Sequence, residues 1–282
     1  MEFDFVLLGA EKQSASSFAL AYPDKTFLFV TDQAIVDGWD IPNVRIAFSK
    51  INDIEKLPGR YRGKYVSLSS RWTALSVDSK PAAVRCSLFD NLEKIYKHMP
   101  ELALRIGRDL ATYRSSPVIL KGDLWHKPDA PEIISEEYSP DMKDEYGCGF
   151  FYQEFVPGPD NFVSVGYVEK ERVRFGIVQV HRESIAREDH IVAAETVNDE
   201  RLSDLTLRAI AHLGYQGFFT LNWVKVPGRV ALTSFRPEPK ALFGLLKKAG
   251  CDLLGDAGAM AVKPGVKMIG NIHYSSYHEL AS

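Results

Sequence analysis

The stretch GFFTLNWVKVPGRVALTSFRPE, residues 217–238, decides how this chain is read. Two runs rich in β-branched and aromatic residues flank Pro227-Gly228, which predicts a hairpin of strands 218–226 and 229–235. Strand side chains alternate with a period of two, so Asn222, Ser234 and Arg236 are expected on one face. Pro237 and Glu238 follow directly. Taken singly, each of these polar residues is more often a surface residue than part of a site.

Upstream of the hairpin, Asp199 can cap a helix over 200–213, with Leu202, Leu205, Ala209 and Leu213 on one face and Gly214 at its end. Downstream, a helix is predicted from about Pro239 to Ala249, stopped by Gly250. Before the first helix, residues 150–155, 161–168 and 172–180 read as strands of an antiparallel meander, the first two parted by Pro157-Gly158-Pro159. Residues 117–121 form another strand, ending in Lys121. A long polar loop, 122–140, then carries Trp125, His126, Lys127 and Asp129. Residues 87–113 are helical in pattern, with a break at Pro100.

The beginning of the chain differs in kind. Residues 3–9 and 26–32 are short apolar strands on either side of a helix over 14–22. Strand, helix and strand within about thirty residues predict a right-handed parallel unit. The first turn, Gly9-Ala10-Glu11-Lys12, lacks the later glycines that bring a backbone close to a pyrophosphate, which excludes an ordinary dinucleotide site. Asp32 is then simply a strand end. Residues 33–85 give no clear pattern. The fold class expected is α/β plus α+β: an N-terminal parallel domain over 1–86, an antiparallel α+β domain over 87–282, and a cleft between the lobes.

Composition narrows the function. With 282 residues and 45% hydrophobic content, the chain is long enough for a large core. Lys and Arg number 34 against 37 Asp and Glu, a balance without the basic footprint of a nucleic-acid binder. The sequence has no apolar run of membrane-spanning length, and its start is acidic rather than that of a signal peptide. Cys86, Cys148 and Cys251 are widely spaced, which suits a reducing cytoplasm better than a disulfide framework.

Four pieces carry chemistry. A strand-end lysine such as Lys121 can present a compact charge to a phosphate. The segment Gln153-Glu154-Phe155-Val156-Pro157-Gly158-Pro159-Asp160 runs from a strand into a connector. There, unpaired backbone groups can meet an adenine edge, and Asp160 can accept from two ribose hydroxyls. Arg182, after His181, offers a forked donor for phosphate or carboxylate. The polar face of the hairpin is the fourth.

In this order, over roughly 117–254, the pieces resemble the ATP-grasp superfamily of carboxylate–amine ligases. The resemblance implies that Lys121 meets phosphate; where the family often has a Gly-rich loop over the phosphates this chain departs, and Lys127 and His126 are the candidate donors in its place. It implies that Gln153, Glu154 and Val156 sit at the adenine and Asp160 at the ribose. Arg182 would hold phosphate, and Arg236 would sit at the transferred phosphate or acyl oxygen. The cofactors implied are ATP and Mg²⁺, and the partners a small-molecule carboxylate and an amine. The sequence departs from the family at the metal: its two acids fall on Asn222 and Leu232, which with Ser234 are expected to form the metal corner. Mg²⁺ prefers charged oxygens, so Glu238 is the remaining candidate ligand. The alternative is a nucleotide-binding regulatory or scaffold protein with a degenerate ATP-grasp fold; a third reading is a two-lobe structural protein that binds no nucleotide.

Overall fold

The computed structural model describes residues 1–9, 19–31, 41–50, 53, 56–67, 87–108, 117–122, 132–134, 150–156, 160–170, 172–182, 191–237, 242–255 and 262–269. The first four strands are β1 (Glu2–Leu8), β2 (Phe27–Thr31), β3 (Val44–Phe48) and β4 (Arg62–Ser67). They pair in parallel in the order β3-β2-β1-β4. Both faces of the sheet's centre are covered, as parallel sheets require. Phe5, Leu7, Phe27 and Phe29 join one buried cluster, and Val6, Leu8, Leu28 and Val30 another. The Asn43 amide ties the β1–β2 crossover to the entry of β3, donating to the carbonyls of Ala19, Tyr22 and Lys25. The parallel unit expected from the sequence is therefore larger than two strands. Of the crossover helix, 19–21 are helical; its earlier part and Asp32 lie outside the described residues.

Helix α1 (Leu88–His98) starts at Ser87, whose side chain accepts from the Asp90 N–H. A short 3-10 turn, Pro100–Leu102, follows the expected break at Pro100. Residues 103–108 are not the continued helix that the pattern suggested, and 109–113 lie outside the described residues. Instead, β5 (Ile106–Gly107) joins β6 (Val118–Gly122), β7 (Glu132–Ile134) and β8 (Phe150–Glu154) in an antiparallel sheet of order β5-β8-β6-β7.

The largest sheet begins with β9 (Asp160–Glu169), β10 (Arg172–Arg182) and β11 (Ile191–Val197). Helix α2 (Glu200–Leu213) follows, then β12 (Gly217–Val226) and β13 (Arg229–Arg236). Helix α3 (Phe243–Lys248) and the three-residue β14 (Lys267–Ile269) complete the described elements. The six strands run in the order β13-β12-β9-β10-β11-β14, all antiparallel. α2 forms where its signals place it: Asp199 accepts from the Leu202 N–H at 2.9 Å, and Gly214 closes the helix at φ 63°.

One face of this sheet lies under α1 and α2. There Trp223, fully buried, donates to the Ser164 hydroxyl, which is 2.8 Å from that of Thr206 on α2. Gly166 is required here, because a Cβ would stand 2.4 Å from the Phe219 ring. The other face shares a cluster with the parallel sheet: Val163, Val165, Val178, Leu245 and Leu246 lie with Phe5, Phe27 and Phe29. Lys64 on β4 bridges the two sheets, 2.7 Å from Glu169 and over the rings of Phe5 and Tyr167.

Candidate active site at the β12–β13 hairpin

The hairpin forms as read, with a bulge that the sequence does not reveal. Asn222 pairs with Ser234 and Thr220 with Arg236, yet Trp223 pairs with Leu232. Thr233 is thus an extra residue on β13. Asn222, Ser234 and Arg236 share one face through this register. Leu232 does not. The extra residue turns it to the opposite face, where it packs with Trp223 in the helix-side cluster. The expected grouping of Asn222, Leu232 and Ser234 is therefore corrected to Asn222 opposite Ser234.

These two residues are fully buried, and the Asn222 amide donates to the Ser234 hydroxyl. Two neutral groups that satisfy each other do not suit a hard divalent cation. Among the described residues there is no group of three or more His, Cys, Asp or Glu that could hold a metal. Glu238 lies outside the described residues. Among the described residues, the donors at this corner do not fit Mg²⁺.

Lys121 reaches the hairpin from the neighbouring sheet. It is 5% exposed, and its Nζ donates to the Thr233 carbonyl at 3.0 Å. Gln153, also buried, donates from β8 to the Tyr96 hydroxyl at 3.3 Å, and Tyr96 donates to the Leu232 carbonyl at 2.5 Å. Burial pushes the Tyr96 phenol well above its ordinary range, so it remains a donor. Lys121 thereby meets the edge of β13 at Thr233, and Gln153 is linked to the carbonyl of Leu232 through Tyr96. Tyr96 was missed by sequence reasoning; in the helical pattern it is one more apolar-face residue.

Other expected site residues are placed differently. Glu154 was expected to open a hinge with free backbone groups, but its N–H donates to the Arg105 carbonyl at 2.8 Å and that of Phe155 to Pro117 at 3.0 Å. The reason is β5, which pairs with the second edge of β8. Val156, half-buried, is the first residue past those pairings. The Glu154 carboxylate accepts from the Arg105 N–H and lies within 3.8 Å of the Arg105 and 3.9 Å of the Arg229 guanidinium. Asp160 opens β9 opposite Lys225, and Arg182 ends β10 opposite Ile191. Their side chains lie outside the described residues, as do Lys127 and His126. Cys86 and Cys148 do too, whereas Cys251 is buried and its thiol is pushed up to about 11 by that burial.

A parallel sheet, a small antiparallel sheet and a large one that carries the polar hairpin define the ATP-grasp fold, and the chain has it. An L-amino acid ligase from Bacillus licheniformis superposes with a TM-score of 0.66 at 12% identity, over 88% of this chain and 71% of that one. A phosphoribosylamine–glycine ligase from Thermotoga maritima superposes with a TM-score of 0.65 at 12% identity, over 92% and 78%. An N5-carboxyaminoimidazole synthase from Aspergillus clavatus, solved with ADP and 5-aminoimidazole ribonucleotide, superposes with a TM-score of 0.61 at 10% identity, over 84% and 70%. No protein-family model matches the sequence, and no curated protein matches it. Among the described residues, no helix is long and apolar enough to cross a membrane.

Proposed function

We propose that the chain binds ATP between the β5–β8–β6–β7 sheet and the β12–β13 hairpin, and uses it to activate a small-molecule carboxylate for attack by an amine. The observation that carries this reading is the buried contact of Lys121 with the Thr233 carbonyl, at the bulge next to the polar face of the hairpin, in a fold shared with ligases. In the chemistry proposed, the terminal phosphoryl group passes to a carboxylate oxygen with release of ADP. The amine nitrogen then attacks the acyl carbon, and phosphate leaves. The protein's part is electrostatic: Lys121, Arg182 and Arg236, with Lys127 from the loop, hold and neutralise phosphate oxygens. Gln153, Glu154 and Val156 line the adenine side, with Val156 the one whose backbone lies past the ladder. Asp160 takes the ribose. The division at residues 86 and 87, and a cytoplasmic setting, belong to the same proposal.

A second reading is favoured by one observation: Asn222 and Ser234 form a buried neutral pair where a cation clamp is expected. On that reading the chain senses a nucleotide without turning it over. Calorimetric titration with a non-hydrolysable ATP analogue, with and without Mg²⁺, tests both. Binding that strengthens with Mg²⁺ supports the ligase; binding indifferent to Mg²⁺ supports the sensor. The absence of binding in either buffer removes both.

A further inference from the structure

Among the described residues, β13 is the outer strand of the six-stranded sheet, so one row of its carbonyls has no strand partner there. In a regular strand, successive carbonyls point to opposite edges. The bulge at Thr233 breaks this alternation, and two successive carbonyls take donors from outside the sheet. Leu232 accepts from Tyr96 on α1, and Thr233 accepts from Lys121 on β6. Gln153 on β8 steadies the Tyr96 hydroxyl from behind. All three donor side chains are buried, where a broken hydrogen bond is not replaced by water without local opening.

We propose that Tyr96 and Lys121 form a two-point latch, which fastens α1 and the β5–β8–β6–β7 sheet to the bulged edge of β13. Entry of a polyphosphate between the sheets requires both fasteners to open; once inside, it holds Lys121 off the Thr233 carbonyl, while Tyr96 closes again on Leu232. This second half rests on the ATP reading; the latch itself does not. The exchange is favourable because a phosphate oxygen carries full charge and a carbonyl only a dipole. The two fasteners are unequal in their chemistry: an anion competes far more strongly for a charged ammonium than for a neutral phenol O–H.

Amide hydrogen exchange on the full chain without nucleotide tests the latch. Tyr96→Phe and Lys121→Met, made separately, are each expected to speed exchange at 118–122 and 150–156 by about ten-fold, and to leave β10 and α2 at the wild-type rate. Unchanged exchange in both variants, or an equal rise in every element, overturns the latch. Should one variant fail to fold, the other reads the same segments. A second arm measures association of a non-hydrolysable ATP analogue. If binding requires opening, Tyr96→Phe associates several-fold faster than wild type, because its open form is more populated. An equal association rate overturns the release step. A wild type that binds no analogue, with the exchange result intact, sinks the ATP reading and leaves the latch standing.

Discussion

Lys121 donates to a main-chain carbonyl, and this bears on its expected behaviour. Replacing it with Met keeps most of the stem's packing and removes the ammonium. The Lys121→Met variant is expected to bind an ATP analogue at least about ten-fold more weakly, since a charge-assisted phosphate contact contributes roughly 1.5–3 kcal/mol. An unchanged dissociation constant in a folded variant takes Lys121 out of the site. The Asn222–Ser234 pair makes a second expectation, and the register decides which positions to change. Because Ser234, not Leu232, faces Asn222, acids restored at Asn222→Asp and Ser234→Asp stand together. Without a cation two buried carboxylates repel, so the double variant should be less stable than wild type and should regain stability on addition of Mg²⁺. Thermal unfolding with and without Mg²⁺ reads this; a double variant whose melting ignores Mg²⁺ shows that the corner cannot hold the ion.

Among the elements, α2 illustrates how a sequence signal becomes stability. The Asp199 carboxylate accepts from the Leu202 N–H and pairs with Lys225 on β12, which also lies over the Phe162 ring. Burial alone would raise the pKa of this carboxyl, but Lys225 and the helix N–H groups outweigh it, and the net direction is down. A lowered folded pKa means stability that is present above the unfolded value of 3.8 and is lost as the pH falls below it. Asp199→Ala should cost about 1 kcal/mol near neutrality, and the gap to wild type should close in acid. A gap that is constant with pH would leave only a loss of packing. The helix was legible because Asp199, the apolar spacing and Gly214 all agree. The β12–β13 hairpin was legible for a similar reason, whereas its bulge exists only as a pairing of two strands. β14 has three residues, Lys267–Ile269, too few for a period to show. β11 reads IVAAETV, and its central Ala193-Ala194-Glu195 hides the alternation. At the site, Lys121 and the Asn222, Ser234, Arg236 face could be found from residue type and spacing. The role of Tyr96 could not, because it depends on where α1 sits against β13. The hinge backbone at Glu154 was misread because β5, two residues long, gives no sequence signal for covering it.

For the whole molecule, the shared cluster between the parallel sheet and the large sheet matters most. Phe5, Phe27 and Phe29 from the first sheet are buried among Val163, Val165, Leu245 and Leu246 from elements far along the chain. A fragment of residues 1–86 would expose those phenylalanines. It should scatter light and bind a hydrophobic dye, whereas the intact chain should not; a soluble, monomeric fragment would show that the parallel sheet needs no cover. The same arrangement has a consequence in time. The ribosome finishes β4 about ninety residues before it begins to finish β9. At roughly 5–20 residues per second, the parallel sheet waits on the order of 5–20 s with an apolar face and no lid. During that interval the nascent chain is at its stickiest, and its yield in a cell should rise when the waiting strands are sheltered.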